Sequence, residues 1–307
     1  MQRPEQGLRD PERVLGKLDW TVLRRLDGLL QGDYRTLFHG LGLDLAELRE
    51  YQLTDDVRYI DWNVTARLQE PYVRQYREDR EVTAWFLLDM SPSVDFGTGQ
   101  ALKRDTLIEF VGVLARLLTR RGNRVGAILY TGQVDKIVPA GTGRLHVLRL
   151  LRAAMEHPRL RRSNPTDLRT LIDKGRGVAP RRSLFFVVSD FLSAPGWEKS
   201  LAELSLRHET MAVRLIDPLE MELPNVGLVY FEDAESGEQL LIDTNDAAFR
   251  RRFMQGAARK QAQLEASLAK SGVPVLELST RGDMVKEIIR YASLQKRAKA
   301  AQPAKAA

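Results

Sequence analysis

From Thr83 onward, the sequence predicts an α/β fold built on a doubly wound, mostly parallel β-sheet. Predicted strands and helices alternate along this part of the chain, which is typical of parallel sheets with helices on both faces. Two of the predicted strands, "TAWFLL" and "SLFFVVSDF", carry continuous apolar runs, as expected for strands covered on both sides. Each strand runs directly into an aspartate, Asp89 or Asp190. Ligands in this fold class bind at the carboxyl ends of the strands, so both aspartates are candidate site residues.

The first strand is followed by a predicted helix over "DTLIEFVGVLARLLTRRG", with Asp105 as candidate N-cap and Gly122 as the stop. One face of this helix carries apolar residues at helical spacing, namely Leu107, Ile108, Val111, Leu114 and Leu118. The segments "RVGAILYT" and "VDKIVPA" around the short connection "GQ" predict a β-hairpin. A second helix over "RLHVLRLLRAAMEH" is expected to end before Pro158.

The second half of the region continues the alternation. A short helix near Leu168–Gly175 precedes the strand that ends at Asp190, and "WEKSLAELSLRH" and "TMAVRLID" follow as helix and strand. The segments "VGLVYFED" and "EQLLIDT" flank the turn "AESG" and predict a second hairpin. A long helix, capped by Asn245 or Thr244 and stopped by Gly272, precedes a last strand and helix.

The residues before Thr83 do not alternate in this way, and we divide the chain into four segments. These are an N-terminal extension with a helix over "WTVLRRLDGLLQ" (1–31), a small β-rich annex (32–82), the main α/β domain (83–294) and a disordered basic tail (295–307). The annex is predicted from two polar-faced segments, "DLAELREYQL" and "YVRQYREDREV", with Trp62 in its core. Between them, Asp55, Asp56, Arg58 and Asp61 form either a second charged site or, as we favour, a corner in which the arginine pairs with the acids.

Composition narrows the classes of function. Apolar residues make up 43% of the chain and charged residues 29%, which is typical of a soluble globular protein. No apolar run approaches the roughly 18 residues of a membrane span, and the N-terminus lacks the apolar core of a signal peptide, so we expect a cytoplasmic protein. The absence of cysteine excludes disulfides and zinc–thiolate sites. The net charge of +6 permits nucleic-acid binding, but no aromatic–basic interleaving accompanies it, and we do not favour that function.

The stretch "WFLLDMSPSVDFGTG" places Asp89, Ser91 and Ser93 at every second position after a buried strand. All three offer oxygen atoms, as a hard divalent cation requires. Aspartate and serine are also common turn residues, and this stretch alone leaves both interpretations open. The following "GTGQALKRDT" lacks the ending of a phosphate-binding loop and is interpreted as a flexible lead into the helix. The four histidines (His39, His146, His157 and His208) show no ligand spacing and are expected at the surface or at helix ends.

Asp89, Ser91 and Ser93 match the D-x-S-x-S signature of von Willebrand factor A domains, where it forms half of a metal-ion-dependent adhesion site. The family pattern continues with a threonine and an aspartate, which "NPTDL" and "VVSDF" supply as Thr166 and Asp190. Agreement with the strand ends and with the order of the fold supports the match. The segments "YQLTDDVRYIDWNVTARL", "YREDREVTAWFLLDMSPSV" and "IDPLEMELPNVGLVYFEDAESGEQLLIDT" further resemble the bacterial "domain of unknown function 58" family, over about Gly40 to Ala292.

This resemblance implies a von Willebrand factor A-like fold that binds Mg²⁺ or Mn²⁺. By the family's example, Ser91, Ser93 and Thr166 bind the ion directly, Asp89 and Asp190 act through water, and one position is left for a partner's carboxylate. Two positions depart from the pattern, with Val94 in place of the usual Met and Pro165 in place of the usual Gly. Family members are often encoded beside MoxR-type AAA+ ATPases, which suggests such an ATPase as partner.

The resulting functional hypothesis is a protein-binding adaptor without enzymatic turnover. Its partner would offer an aspartate or glutamate to the metal. Two alternatives are a metal-dependent hydrolase, which would need a positioned base or nucleophile, and a nucleic-acid-associated scaffold.

Overall fold

The computed structural model describes most of the predicted α/β domain and parts of the N-terminal region. The described residues are 10–17, 47–52, 57, 60, 62–68, 70–75, 82–97, 101–160, 166–232 and 238–300. The helix predicted over "WTVLRRLDGLLQ" and the charged corner of Asp55, Asp56, Arg58 and Asp61 lie outside these ranges.

The N-terminal region contributes a helix to the main core. Helix α1 (Pro11–Lys17) places Val14 and Leu15 in the same hydrophobic cluster as the central strands. The described part of the annex contains two short antiparallel strands, β1 (Glu47–Glu50) and β2 (Tyr72–Gln75), with helix α2 (Trp62–Leu68) between them in sequence. The prediction that Trp62 belongs to the core is wrong, because this side chain is 68% exposed.

The main sheet has six strands, and the prediction of a doubly wound, mostly parallel sheet is confirmed. The strands are β3 (Thr83–Asp89), β4 (Arg124–Tyr130), β5 (Val134–Gly141), β6 (Leu184–Ser189), β7 (Glu209–Ile216) and β10 (Val275–Ser279). Their spatial order is β10-β7-β6-β3-β4-β5, and only β5 runs antiparallel to its neighbour in this sheet. The predicted hairpin is therefore the β4–β5 pair, at one edge.

Among the described residues, α1 and six further helices cover the two faces of this sheet. The six further helices are α3 (Lys103–Thr119), α4 (Arg144–Met155), α5 (Leu168–Val178), α6 (Trp197–Arg207), α7 (Ala247–Ser271) and α8 (Met284–Ala300). Apolar residues of α1, α3, α4 and α8 share one core cluster with Phe86 and Leu88, while those of α5, α6 and α7 share the other with Trp85 and Leu87. Successive residues of β3 thus point to opposite, equally buried layers, as its continuous apolar run predicts.

The second predicted hairpin is also present, as β8 (Leu228–Glu232) paired with β9 (Gln239–Asp243) in a separate two-stranded sheet. The start of α7 differs from the prediction. Asp246, not Asn245 or Thr244, caps α7 by accepting a hydrogen bond from the amide of Ala248. At the C-terminus, α8 continues to Ala300, within the first part of the predicted tail; residues 301–307 lie outside the described residues.

Candidate metal site at the carboxyl edge of the sheet

The two strand-terminal aspartates lie at the same edge of the sheet. Strands β3 and β6 are parallel neighbours, with Leu88 opposite Val188 in the register. Strand β3 ends at Asp89, while β6 ends at Ser189 and is followed at once by Asp190. Both carboxylates are buried, with exposures of 0% and 2%. The sheet topology therefore brings together two acidic groups that are about a hundred positions apart in the chain.

The carboxylate of Asp89 is held by neutral donors. Its Oδ1 accepts a hydrogen bond of 3.0 Å from the Ser91 amide, and its Oδ2 accepts one of 2.6 Å from the Ser189 hydroxyl. Burial, followed by the nearby negative charge of Asp190, raises the pKa of Asp89 to about 6, although the hydrogen bonds act in the opposite direction. An acid in such a site gains from any cation that enters.

The two serines of the motif lie side by side. Ser91 precedes a single 3₁₀ turn, Pro92–Asp95, which carries Ser93, and the two hydroxyl oxygens are 3.1 Å apart. Neighbouring ligands of an octahedral Mg²⁺ with bonds of about 2.1 Å are roughly 3.0 Å apart, so this spacing fits adjacent positions around such an ion. Val94, at the position where the resemblance expects methionine, belongs to this turn and is fully buried in the core.

Thr166 belongs to a loop that is hydrogen-bonded to the loop carrying Asp190. Its carbonyl oxygen accepts hydrogen bonds of 2.9 Å from both the Ser193 hydroxyl and the Ala194 amide. The Tyr130 hydroxyl, at the end of β4, donates to the carbonyl of Asp167 at 2.8 Å. These bonds connect the Thr166 loop to the carboxyl ends of the strands, where the other four predicted ligands lie.

The backbone turns sharply just after Asp190. Phe191 has a φ of +60°, a left-handed conformation that is uncommon for a residue with a bulky side chain. Two bonds stabilise this turn, from the Phe191 amide to the Ser189 hydroxyl (2.9 Å) and from the Leu192 amide to Asp190 Oδ1 (3.0 Å). The ring of Phe191 packs against Trp197 with centroids 5.1 Å apart. Such a conformation costs on the order of 1–3 kcal/mol and is often found at functional sites.

A lysine that sequence reasoning missed lies against Asp190. The ammonium of Lys103, at the first position of α3, is 2.7 Å from Asp190 Oδ2 and 2.6 Å from Glu220 Oε1. Burial alone would lower the pKa of Lys103, but the charges of Asp190 and Glu220 outweigh it and raise this pKa above its ordinary value. The ring of Phe96 adds a cation–π contact, with the ammonium 5.8 Å from its centroid. Lys103 is therefore a charged group with no exposed surface.

The next residue fixes the serine loop. The Arg104 guanidinium contacts Asp95, at the end of the 3₁₀ turn, at 3.3 Å and also donates to the carbonyl of Ala154 at 3.3 Å. The stretch "GTGQALKRDT", interpreted as a flexible lead, thus contains two buried cations, and α3 begins within it at Lys103. Asp105 is not the N-cap but lies in the first turn and accepts a hydrogen bond from the Leu102 amide. Gly97 passes so close to the Leu102 backbone that an added Cβ would come within 2.6 Å of its Cα.

Two further residues at the site, Ser189 and Glu220, were not predicted. Ser189 stands in the quoted "VVSDF", but serine in a strand carries no specific signal. The sequence does carry a signal for Lys103 and Arg104. Two cations in the first turn of a helix interact unfavourably with the helix dipole and therefore need acidic partners. The described histidines are all buried, and they lie at helix ends, which is one of the two expected places: His146 in the first turn of α4, His157 just after α4 and His208 as the C-cap of α6. His39 lies outside the described residues.

The donor set fits a hard cation. In the parts of the chain that the structure describes, no group of three or more His, Cys, Asp or Glu side chains could hold a metal ion. The cluster at the sheet edge has two acids and adds serine hydroxyls, which are oxygen donors suited to Mg²⁺. The structure thus combines a doubly wound sheet with a cluster of oxygen donors at the carboxyl ends of its strands.

Comparisons with known proteins give the family. The model of the family described as "Protein of unknown function DUF58" matches residues 47–263. An uncharacterized protein of Mycobacterium tuberculosis is 38% identical over 284 residues, which is 92% of this chain and 89% of the relative. Another, from Mycobacterium avium, is 35% identical over 160 residues, covering 52% of this chain and 94% of the relative. The chain belongs to the DUF58 family.

Solved structures with a similar course include BatB from Bacteroides thetaiotaomicron, with 15% identity, a TM-score of 0.46, and coverage of 71% of this chain and 99% of that one. The VWA domain of SpRpn10 matches with 11% identity and a TM-score of 0.38, covering 68% of this chain and 93% of that one. None of the helices described for the present chain is long and apolar enough to cross a bilayer.

Proposed function

We propose that this protein is a Mg²⁺- or Mn²⁺-dependent adaptor that binds other proteins in the cytoplasm. The observation that carries the proposal is the buried cluster of oxygen atoms at the sheet edge, with Asp89 held by neutral donors and two serine hydroxyls 3.1 Å apart. A cluster of this kind lowers its energy by taking up a cation, since Asp89 is otherwise an acid buried beside another acid.

The five proposed ligands would bind the ion in two different ways. Ser91, Ser93 and Thr166 would supply neutral oxygens directly to the ion, and Asp89 and Asp190 would act mainly through water. An ion held mostly by hydroxyls keeps its positive charge and can attract one more carboxylate, from a partner. From the resemblance to DUF58 proteins, the proposed partner is a MoxR-type AAA+ ATPase, and the two proteins would together remodel or activate protein complexes.

The proposed ligands are largely buried. The exposures of the five proposed ligands range from 0% for Asp89 and Ser91 to 9% for Ser93. The low exposure of these residues gives a partner's carboxylate little open surface to approach, and we expect slow association. The basic residues Arg161 and Arg162, which we expect to steer an acidic partner, lie outside the described residues.

Binding and turnover make different demands on Asp89. A metal-dependent hydrolase would need a general base in addition to the groups that hold the ion, and the groups bonded to Asp89 are a backbone amide and a serine hydroxyl, which are not bases. We therefore favour recognition over hydrolysis. Assays of phosphate-ester and peptide hydrolysis with added Mg²⁺ would test this choice, and metal-dependent turnover that is lost in Asp89→Ala would favour the hydrolase.

Isothermal titration calorimetry with Mg²⁺ and Mn²⁺ tests the site itself. We expect binding by the wild-type chain and none by Asp89→Ala or by Ser91→Ala/Ser93→Ala. Ser205→Ala is the matched control, because the hydroxyl of this helical serine donates to the carbonyl of Ala202 and the residue lies away from the cluster in sequence. Undiminished affinity in the folded double-serine variant would rule out the site.

The partner is tested separately by surface plasmon resonance against a MoxR-type ATPase from the same cell. We expect complex formation with Mg²⁺ and a loss of binding in EDTA and in Asp89→Ala. A complex that forms equally well in EDTA would show that recognition does not use the ion.

A further inference from the structure

We propose that Lys103 is a built-in competitor cation, which weakens metal binding at the site so that the ion is held more tightly when a partner supplies a carboxylate. The inference rests on the proposed metal-binding function and adds a residue that controls it. It comes from the position of one fully buried ammonium against one of the proposed ligands.

The first argument is occupancy of the carboxylate. Asp190 Oδ1 accepts the amide hydrogen of Leu192, and Oδ2 accepts the Lys103 ammonium at 2.7 Å. Both oxygens of Asp190 are therefore engaged within the protein. Its negative charge is already balanced at short range, and an incoming ion would gain less from it than from a free carboxylate.

The second argument is the fixed position of Lys103. The ammonium is held between Asp190 and Glu220, at 2.7 Å and 2.6 Å, and its exposure is zero. Glu220 is itself fixed, since its other oxygen accepts the Asp217 amide at 3.1 Å in the 3₁₀ turn (Pro218–Glu220) that follows β7. Lys103 thus cannot simply turn toward water when a metal enters.

The third argument is electrostatic. A divalent ion held near Asp89 and Asp190 would lie only a few ångströms from this ammonium, in a site with little water to screen the repulsion. Glu220 offsets part of that repulsion from the far side. A partner's carboxylate would add the missing negative charge, so binding of the ion and binding of the partner should strengthen each other.

Two variants of opposite sign test the proposal by Mg²⁺ calorimetry. Lys103→Met keeps the length of the side chain and removes its charge, and should tighten Mg²⁺ binding at least tenfold. Glu220→Gln keeps an acceptor for Asp217 and removes the counter-charge, and should weaken Mg²⁺ binding several-fold. The matched control is Lys199→Met with Glu203→Gln, an exposed pair 4.0 Å apart on α6, which should leave the affinity unchanged.

Acetate serves as the probe for the partner's carboxylate. Saturating acetate should raise the Mg²⁺ affinity of the wild-type protein and have less effect on Lys103→Met, in which the repulsion is gone. An affinity of Lys103→Met equal to or below that of the wild type would overturn the role of Lys103. Should that variant fail to fold, unchanged or tighter Mg²⁺ binding by Glu220→Gln would do the same.

The outcomes separate this inference from the function on which it rests. Wild-type binding with no change in either variant contradicts the competitor role and leaves the metal site intact. Binding by Lys103→Met but not by the wild type is the strongest support for competition. Absence of Mg²⁺ binding in every folded variant, with and without acetate, overturns both proposals.

Discussion

Asp89 and Asp190 lie at the carboxyl ends of neighbouring strands of one sheet and are almost equally buried. Their surroundings differ, however, because among the described residues only Asp190 contacts a positively charged group. Asp89 receives hydrogen bonds from a backbone amide and a serine hydroxyl, and its pKa rises to about 6. Asp190 receives a lysine ammonium at 2.7 Å. One acid is left able to accept a proton or a cation, and the other already has an internal counter-ion.

The difference arises outside the two strands. The strand sequences "TAWFLLD" and "LFFVVSD" are similar in pattern, and nothing in them distinguishes the two acids. The start of α3 determines which acid has a counter-ion, because it places Lys103 against Asp190 and Arg104 against Asp95. Adjacent residues of one helix thus hold the two loops of the site in place, one through each ion pair.

The largest expected effect comes from removing the internal counter-ion. Lys103→Ala leaves Asp190 buried without its cation and should lower the free energy of unfolding by about 3–5 kcal/mol, as for other buried pairs broken on one side. Urea unfolding followed by circular dichroism, in EDTA, measures it. The control Lys199→Ala, at a side chain that is 86% exposed, should change stability by less than about 0.5 kcal/mol. A loss below about 1 kcal/mol in Lys103→Ala would mean that Asp190 finds another partner or a proton.

Removing the charge of Asp89 should have the opposite effect and stabilise the metal-free protein. Its folded pKa of about 6 is higher than the ordinary value of 3.8, so its burial is tolerated fully at pH below 3.8 and costs stability as the pH rises through 6. At pH 7 this cost approaches about 3 kcal/mol, at 1.36 kcal/mol per pKa unit. Asp89→Asn removes the charge and should stabilise the metal-free protein by up to that amount at pH 7, and by nothing near pH 4. Paired urea titrations at the two pH values would show it, and equal stability at pH 7 would place the Asp89 pKa near its ordinary value.

Much of this architecture was predictable from local patterns. The sheet was predicted from the apolar runs of β3 and β6 and from the segments of both hairpins. Such patterns can be recognised because they lie in consecutive residues of one strand. The two strand-terminal aspartates followed from the same runs. Their location at one edge required only the general rule for parallel sheets.

The contacts that distinguish the two acids were not predictable in this way. Lys103 lies 87 positions from Asp190 and 117 from Glu220, and no local period links such partners. The glycines before the helix suggested flexibility, whereas Gly97 serves a close backbone approach. The cations at the start of α3 were the available signal, since their unfavourable position in the helix dipole implies tertiary partners.

A third effect should appear only on the Asp89 side of the comparison. Mg²⁺ at about 100 times its dissociation constant should stabilise the wild-type protein by about 2.7 kcal/mol, the value expected for any ligand that binds only the folded state. Asp89→Asn, although more stable without metal, should gain nothing from Mg²⁺. Thermal melts with and without Mg²⁺ measure both, and Ca²⁺-free buffers with matched chloride control for ionic strength. A rise in melting temperature for Asp89→Asn equal to that of the wild type would place the bound ion elsewhere.

The smallest effect concerns an ion pair that matches the Lys103 pair in length but not in burial. Arg176 and Glu203 approach to 2.7 Å, the same distance as Lys103 and Asp190, but their side chains are 38% and 41% exposed. Water solvates each of these charges when the other is removed, so Arg176→Ala should cost less than about 1 kcal/mol. Urea unfolding at low and at 0.5 M NaCl measures the cost, which should shrink further with salt. A loss as large as that of Lys103→Ala would show that the length of an ion pair, and not its burial, determines its contribution in this protein.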